Sequence, residues 1–334
     1  MFNILIVDSE FRPSWWLSNP HLQTILASKL FKPANVNSIR RRIELEDGDF
    51  IDINVSTRSS GPLVALFHGL AGCVDSSYIQ GVFGTLEKAG FRPMLMHWRG
   101  CSGEPNRLAR AYHSGASDDI EWFIDYLSQE YSGQAIYAVG YSLGGNALLK
   151  HLGESGSRCK LAGAMAVCPP LVLAEGAKKL NTGFAKTYQR YLLALMRSHH
   201  EKKRVAYPQL DLPVADKTLN NFWKFDDAIT APLHGYDGVH DYYARCSARA
   251  FLSDIAVPAH IVCAKDDPFF TPDVIPEASE LANNTTLELS HTGGHVGFLC
   301  ASSTQPRWID ARVASVMQHF ASETDAQTTR RAFP

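Results

Sequence analysis

Ala135-Ile-Tyr-Ala-Val-Gly-Tyr-Ser-Leu-Gly-Gly-Asn-Ala-Leu-Leu-Lys150 is the stretch on which the fold turns. Ala135 to Val139 is a short apolar run of strand type, closed by Gly140. Gly140 to Gly144 then gives G-x-S-x-G, and Asn146 to Lys150 continues with helix formers. A strand that turns at once into a helix holds its central residue in a cramped backbone conformation. Gly140 and Gly144 leave room for the two elements to cross closely. The hydroxyl of Ser142 is thereby lifted above the sheet edge, beside the free N–H groups of the new helix. Ordinary tight turns also use serine. The strand signal before this serine and the helix signal after it favour a nucleophile.

Outward from this stretch, apolar strands alternate with amphipathic helices. Leu63 to Phe67 reads as a buried strand ending at His68-Gly69-Leu70-Ala71-Gly72. Tyr78 to Lys88 reads as a helix stopped by Gly90, and Phe91 to Trp98 as the next strand. Asp118, with Glu121 three residues on, opens a helix whose Ile120, Phe123, Ile124 and Leu127 share one face. Leu161 to Cys168, Pro258 to Ala264 and Thr286 to Leu289 supply further strands, and Asp47-Gly48 marks an earlier hairpin. The pattern predicts an α/β fold with a mostly parallel central sheet and helices on both faces. Residues 171–250 break the rhythm with helical, aromatic-rich sequence and a charged run, Glu201 to Arg204, that reads as a solvated helix end. An insertion leaving the carboxyl edge of such a sheet is expected to lie over the ligand crevice as a lid. The expected organisation is an N-terminal arm (1–38), a core (39–170 and 251–325) and a helical lid (171–250).

A serine hydroxyl needs a neighbouring base, and the base needs an orienting carboxylate, in the chain order nucleophile, acid, histidine. Ala264-Lys-Asp-Asp-Pro268 follows a late strand, so either Asp266 or Asp267 fits, and loop geometry favours Asp267. Ser290-His-Thr-Gly-Gly-His-Val-Gly-Phe298 offers two histidines. Gly293-Gly294 lets the backbone carry His295 over the serine, leaving His291 as a wall residue. The developing oxyanion needs N–H donors, expected at Leu143, directly after the nucleophile, and at Leu70 in the loop after the first long strand.

The chain carries 32 Lys and Arg against 34 Asp and Glu, a net charge of −2 with no basic field for nucleic acid. Seven cysteines without a C-x-x-C pair argue against a disulfide framework or zinc site and for reduced thiols in a cytoplasmic protein. The apolar run Ile4 to Val7 is too short for a signal peptide, and no run approaches the length of a membrane span. A short amphipathic helix is expected near 19–30, after Trp15 and Trp16. The arm's own polar face is not rich in Lys or Arg, which favours packing on the main domain over adsorption to lipid, although peripheral lipid contact stays open. No phosphate loop is present, and neither cofactor nor metal is expected.

These motifs resemble one branch of the α/β-hydrolases, that of the bacterial YheT-like, plant EMB8-like and animal ABHD-type esterases. The resemblance covers nearly all of residues 11–320. It rests on Asn19-Pro-His-Leu-Gln-Thr24, His68-Gly-Leu70, Arg99-Gly-Cys-Ser102, Gly140 to Asn146, Ala264 to Pro268 and Gly293 to Gly297. It implies a Ser142/Asp267/His295 triad, with Asp267 preferred because such enzymes usually use the aspartate before the proline. It also implies hydrolysis of carboxylic esters, and the aromatics of the expected lid point to an apolar acyl or aryl group. The same triad would serve a thioesterase or an acyltransferase, and a hydrolase fold can also carry a binding protein without catalysis.

Overall fold

Strands of apolar residues can bury both faces only if helices cover both sides, and the computed structural model has that layered form. It describes residues 5–29, 36–300 and 306–332. Among these, nine strands form one sheet: β1 (Ile6–Asp8), β2 (Ser38–Glu44), β3 (Phe50–Ser56), β4 (Leu63–Phe67), β5 (Arg92–Met96), β6 (Ile136–Tyr141), β7 (Gly163–Val167), β8 (Ala259–Ala264) and β9 (Thr285–Ser290). The spatial order is β1-β9-β8-β7-β6-β4-β5-β3-β2. Only β3 runs against the others, pairing antiparallel with both β2 and β5. The Asp47-Gly48 hairpin joins β2 to β3, with Gly48 at φ 83°.

Alternation along each strand divides the core in two. Leu63, Ala65 and Phe67 of β4, with Ile136 and Ala138 of β6, face one side. There they meet Ile120, Phe123, Ile124 and Leu127 of a helix spanning Ser117–Glu130, and Ala147 and Leu148 of a helix spanning Leu143–Ser155. Val64, Leu66, Tyr137 and Val139 face the other side, against the helices Ser77–Lys88 and Trp308–Ala332. From β4 the chain steps sideways to β5 and then returns past β4 to β6. This reversal opens a crevice beyond the carboxyl ends of β4 and β6, the usual ligand position in such sheets.

Three details depart from expectation. Residues of the expected arm do more than pack on the core: β1 pairs parallel to β9 through Ile6↔Leu287 and extends the sheet. Asp118 does not cap its helix, because Ala116 holds the N-cap position and Asp118 and Asp119 lie in the first turn. Asp119 is instead spent on Arg99, whose guanidinium donates to it at 2.9–3.1 Å and to Asp49 at 2.9 Å, all three buried. The charged run Glu201 to Arg204 is not wholly solvated either. Lys203 is 5% exposed, donating to Asn106 Oδ1 (2.9 Å) and to the carbonyls of Ala109 (3.0 Å) and Arg110 (2.6 Å). Burial lowers its pKa to about 8. This hook fastens the helix Ala185–Ala206 to the loop following β5.

Between β7 and β8 the chain is helical and builds its own apolar cluster, with Leu173, Leu193, Phe222, Phe225, Ile229 and Tyr242 among its buried members. Its return to the core is pinned by Asn146, on the helix after Ser142. The Asn146 amide donates to Cys246 O (2.7 Å) and Ser114 O (2.8 Å), and its carbonyl accepts from Ala248 N–H (3.0 Å).

Candidate active site

Ser142 stands at the junction of β6 and its helix with φ 50° and ψ −119°, a conformation that side chains avoid. Holding a non-glycine residue there costs about 1–3 kcal/mol, so the surroundings must enforce it. They do so by close packing: a Cβ on Gly140 would lie 2.5 Å from Gly144 O, and one on Gly144 would strike Phe67 O. The Ser142 N–H is tied to Val167 O at 2.8 Å, and Ser142 O accepts from Asn146 N–H at 3.0 Å. The hydroxyl is left half-buried at the crevice.

There it meets the imidazole of His295. Ser142 Oγ lies 2.9 Å from His295 Nε2, and His295 Nδ1 lies 2.8 Å from Asp267 Oδ2. With Asp267 as a carboxylate acceptor, the ring carries its proton on Nδ1 and offers Nε2 to the serine. Asp267 is itself oriented by the Phe269 N–H, which donates to its Oδ1 at 2.8 Å. Asp266 faces away from the imidazole nitrogens and serves the loop instead: its Oδ1 accepts the Gly294 N–H at 3.0 Å, fixing the turn that delivers the histidine. Burial pushes the Asp266 carboxyl up. His291 is exposed and stands outside the cavity, so it is not a wall residue. Cys168 Sγ, a carboxylate oxygen of Asp267 and a ring nitrogen of His295 lie within 4.8 Å of one another, the spacing of a metal cluster. Burial first, then the Asp267 charge, hold the Cys168 thiol well above its ordinary pKa, which makes it a poor metal ligand.

Two further sets of residues frame this histidine, and neither was assigned a role at the site from the sequence. Phe269 stacks on the imidazole, 3.9 Å between centroids at 7°, and Phe270 meets it edge-on at 5.4 Å. The N-terminal helix Pro20–Lys29 clasps the backbone of the same loop. Thr24 Oγ1 accepts the His295 N–H at 2.9 Å. Gln23, fully buried, accepts Leu299 N–H at 2.6 Å and donates to Leu299 O (3.0 Å) and Leu17 O (2.7 Å). A Cβ on Gly294 would lie 2.5 Å from Pro20 O, which is why that position is bare. The motif Asn19-Pro-His-Leu-Gln-Thr24 was the sequence trace of this clasp.

The loop after β4 lies against the serine, since a Cβ on Gly69 would be 3.4 Å from Ser142 Cβ. Its N–H groups are sorted by two tyrosines: Gly69 donates to Tyr78 Oη (2.8 Å) and Ala71 to Tyr112 Oη (2.9 Å). The N–H of Leu70, between them, makes no hydrogen bond among the described residues. Leu143 is the first residue of its helix, where the N–H has no partner in the helix ladder. His68 supports the loop from beneath. Its Nδ1–H donates to Gly69 O at 2.8 Å, its Nε2 accepts the Trp98 N–H at 3.2 Å, and burial lowers its pKa to about 3. It is therefore a neutral structural histidine.

A cavity of about 610 Å³ opens from Ser142, Leu70 and His295 into the helical insertion. Leu173, Leu180, Met196, Phe222, Phe225 and Ile229 line its depth. Its size falls within the range typical of small-molecule sites.

The family described as alpha/beta hydrolase fold matches residues 62–301. YheT of Escherichia coli (strain K12) is 39% identical over 313 residues, covering 92% of each chain. Phospholipase ABHD3 of Mus musculus is 28% identical over 308 residues, covering 88% of this chain and 74% of its own. Among solved structures, the esterase Pf2001 of Pyrococcus furiosus superposes with TM-score 0.58 at 16% identity, over 88% of this chain and 98% of that one. The likeness to Pf2001 speaks for the fold, and the first two matches for descent. The chain belongs to the α/β-hydrolases, in the branch that holds YheT and ABHD3.

Proposed function

We propose that the protein is a serine esterase that cleaves carboxylic esters of apolar acyl groups through an acyl-enzyme. Ser142 Oγ attacks the ester carbonyl while His295 Nε2 takes its proton. The tetrahedral oxyanion is held by the N–H groups of Leu70 and Leu143, which are oriented before the substrate arrives. His295 then returns the proton to the leaving alcohol. Water, activated by the same nitrogen, releases the acid and restores the serine. Asp267 holds the ring in the tautomer that presents Nε2 and stabilises the imidazolium when it forms. Residues 171–250 act as the lid, their apolar cluster receiving the acyl group.

The observation that carries this proposal is the pair of short contacts through one imidazole, 2.8 Å to Asp267 and 2.9 Å to Ser142, at the mouth of an apolar cavity. A fluorophosphonate probe tests it. The wild type should be labelled on Ser142 and lose esterase activity in step, while Ser142→Ala should take no label. Labelling of Ser142→Ala at the wild-type rate would overturn the assignment.

A further inference from the structure

Among the described residues, five of the eight large apolar side chains most exposed to solvent fall in two short segments: Trp15, Trp16 and Leu22 in the first, Phe184 and Tyr191 in the second. The segments touch. His21 Nδ1 lies 3.0 Å from Tyr188 Oη, the His21 and Phe184 rings stand 4.5 Å apart, and Lys29 Nζ lies 5.8 Å from the centre of the Tyr191 ring. The mouth of the cavity lies between them. Ser28 and Lys29 from one side and Tyr191 from the other line it and are exposed.

The same segments are segregated in charge. Residues 11–29 and 176–200 hold seven Lys or Arg and no Asp or Glu, in a chain whose net charge is −2. Arg197 is turned inward onto the carbonyls of Asp216 and Leu219, and Lys178 is paired with Glu175 at 3.6 Å. Arg12 likewise donates to the carbonyls of Ser9 and Phe11 at 2.8 Å, whereas Lys29, Lys179, Lys186 and Arg190 have no carboxylate partner among the described residues. The tryptophan-bearing segment lacks enough cations alone, but the neighbouring helix Ala185–Ala206 supplies them. Exposed tryptophan and tyrosine rings beside unpaired cations fit the boundary between water and an anionic bilayer. There the rings sit at headgroup level and each cation adds attraction.

We propose that this face is an anionic-lipid docking surface that seats the mouth of the cavity on the bilayer. An apolar ester dissolved in the bilayer then enters without crossing water. Docking stands apart from the catalytic proposal, because it is read without turnover.

The test uses the full chain and sucrose-loaded vesicles of phosphatidylcholine, alone or with about one-third phosphatidylglycerol. Sedimentation should show binding at least about tenfold tighter to the anionic vesicles, lost on raising salt. Lys186→Glu/Arg190→Glu should remove the preference for the anionic lipid. Trp15→Ala/Trp16→Ala should weaken binding several-fold. Both variants should keep the wild-type circular dichroism and the rate on a water-soluble ester. Binding unaffected by either variant, or equal binding to both vesicle types, would overturn the proposal. So would vesicle binding that is absent while the wild type self-associates and Trp15→Ala/Trp16→Ala is monomeric, which would give the face to a second copy of the chain.

Discussion

Thr24→Val isolates the contact between the N-terminal helix and the proposed general base. It preserves side-chain shape and deletes the acceptor 2.9 Å from the His295 N–H. The His295 side chain is 9% exposed, and an N–H left without an acceptor in such a place costs about 1–3 kcal/mol. The loop lowers that cost by moving its backbone toward another acceptor. The imidazole, however, must keep contacts of 2.8 and 2.9 Å on its two nitrogens. Misplacing a reacting group by about 1 Å costs about a hundredfold in rate, so a partial shift gives an expected loss in kcat of about 10- to 100-fold. Steady-state hydrolysis of a p-nitrophenyl ester separates kcat from KM, and KM should stay within about twofold, since the depth of the cavity is unchanged. Thr24→Ser retains the hydroxyl and should stay within about twofold of wild type in both constants. A Val variant with wild-type kcat would refute the positioning argument. A Ser variant as slow as the Val variant would refute it equally, by tracing the loss to the methyl group.

Four further outcomes follow from the geometry. Asp267→Asn should lower kcat by about 10³- to 10⁴-fold, by presenting the wrong imidazole tautomer. Asp266→Asn keeps an acceptor for the Gly294 N–H and should cost less than about tenfold, so equal losses in the two variants would undo the division of labour between them. Tyr112→Phe releases the Ala71 N–H beside Leu70; kcat should drop about tenfold with KM held, and an unchanged kcat would exclude that loop from oxyanion binding. Asp226 is buried between the hydroxyls of Thr230 (2.6 Å) and Tyr243 (2.8 Å), and burial pushes its carboxyl up to about 6. The native state then holds more protons than the unfolded chain between about pH 4 and 6, so this group's contribution to stability declines as pH rises through that window, by at most about 3 kcal/mol. Urea unfolding of Asp226→Asn should show a shallower pH slope there than wild type, and identical slopes would place the effect elsewhere.

The parts of the fold legible in sequence are those where local chemistry and tertiary context agree. The parallel strands were readable because they are apolar on both faces. Ser142 was readable because a strand, two glycines and a helix leave one conformation for it. Asp267 and His295 were readable because a turn residue and a pair of glycines each follow a late strand. Contacts between distant segments left weaker traces. Ile6–Asp8 is too short to announce itself as a strand until β9 is there to pair with it. Asp118 and Glu121 have the spacing of a helix cap, but Arg99 draws the neighbouring Asp119 into an ion pair and the cap falls two residues earlier, at Ala116. Lys203 sits in a run of charges, and only the carbonyls of a loop about a hundred positions away distinguish it from its exposed neighbours. Phe269 looked like one more apolar residue, and its place on the imidazole depends on the turn made by Asp267 and Pro268.

The clasp of Gln23 and Thr24 on the histidine loop joins residues 276 and 271 positions apart. During synthesis the helix Pro20–Lys29 emerges well ahead of its partner loop, since Thr24 precedes His295 by 271 positions. Contacts of such long range form late, because closing so large a loop of chain is entropically unfavourable until most of the core is built. A polypeptide that stops short of this loop carries Ser142 but lacks His295, the proposed general base. Under the proposed mechanism, competence to react waits on the seating of this loop.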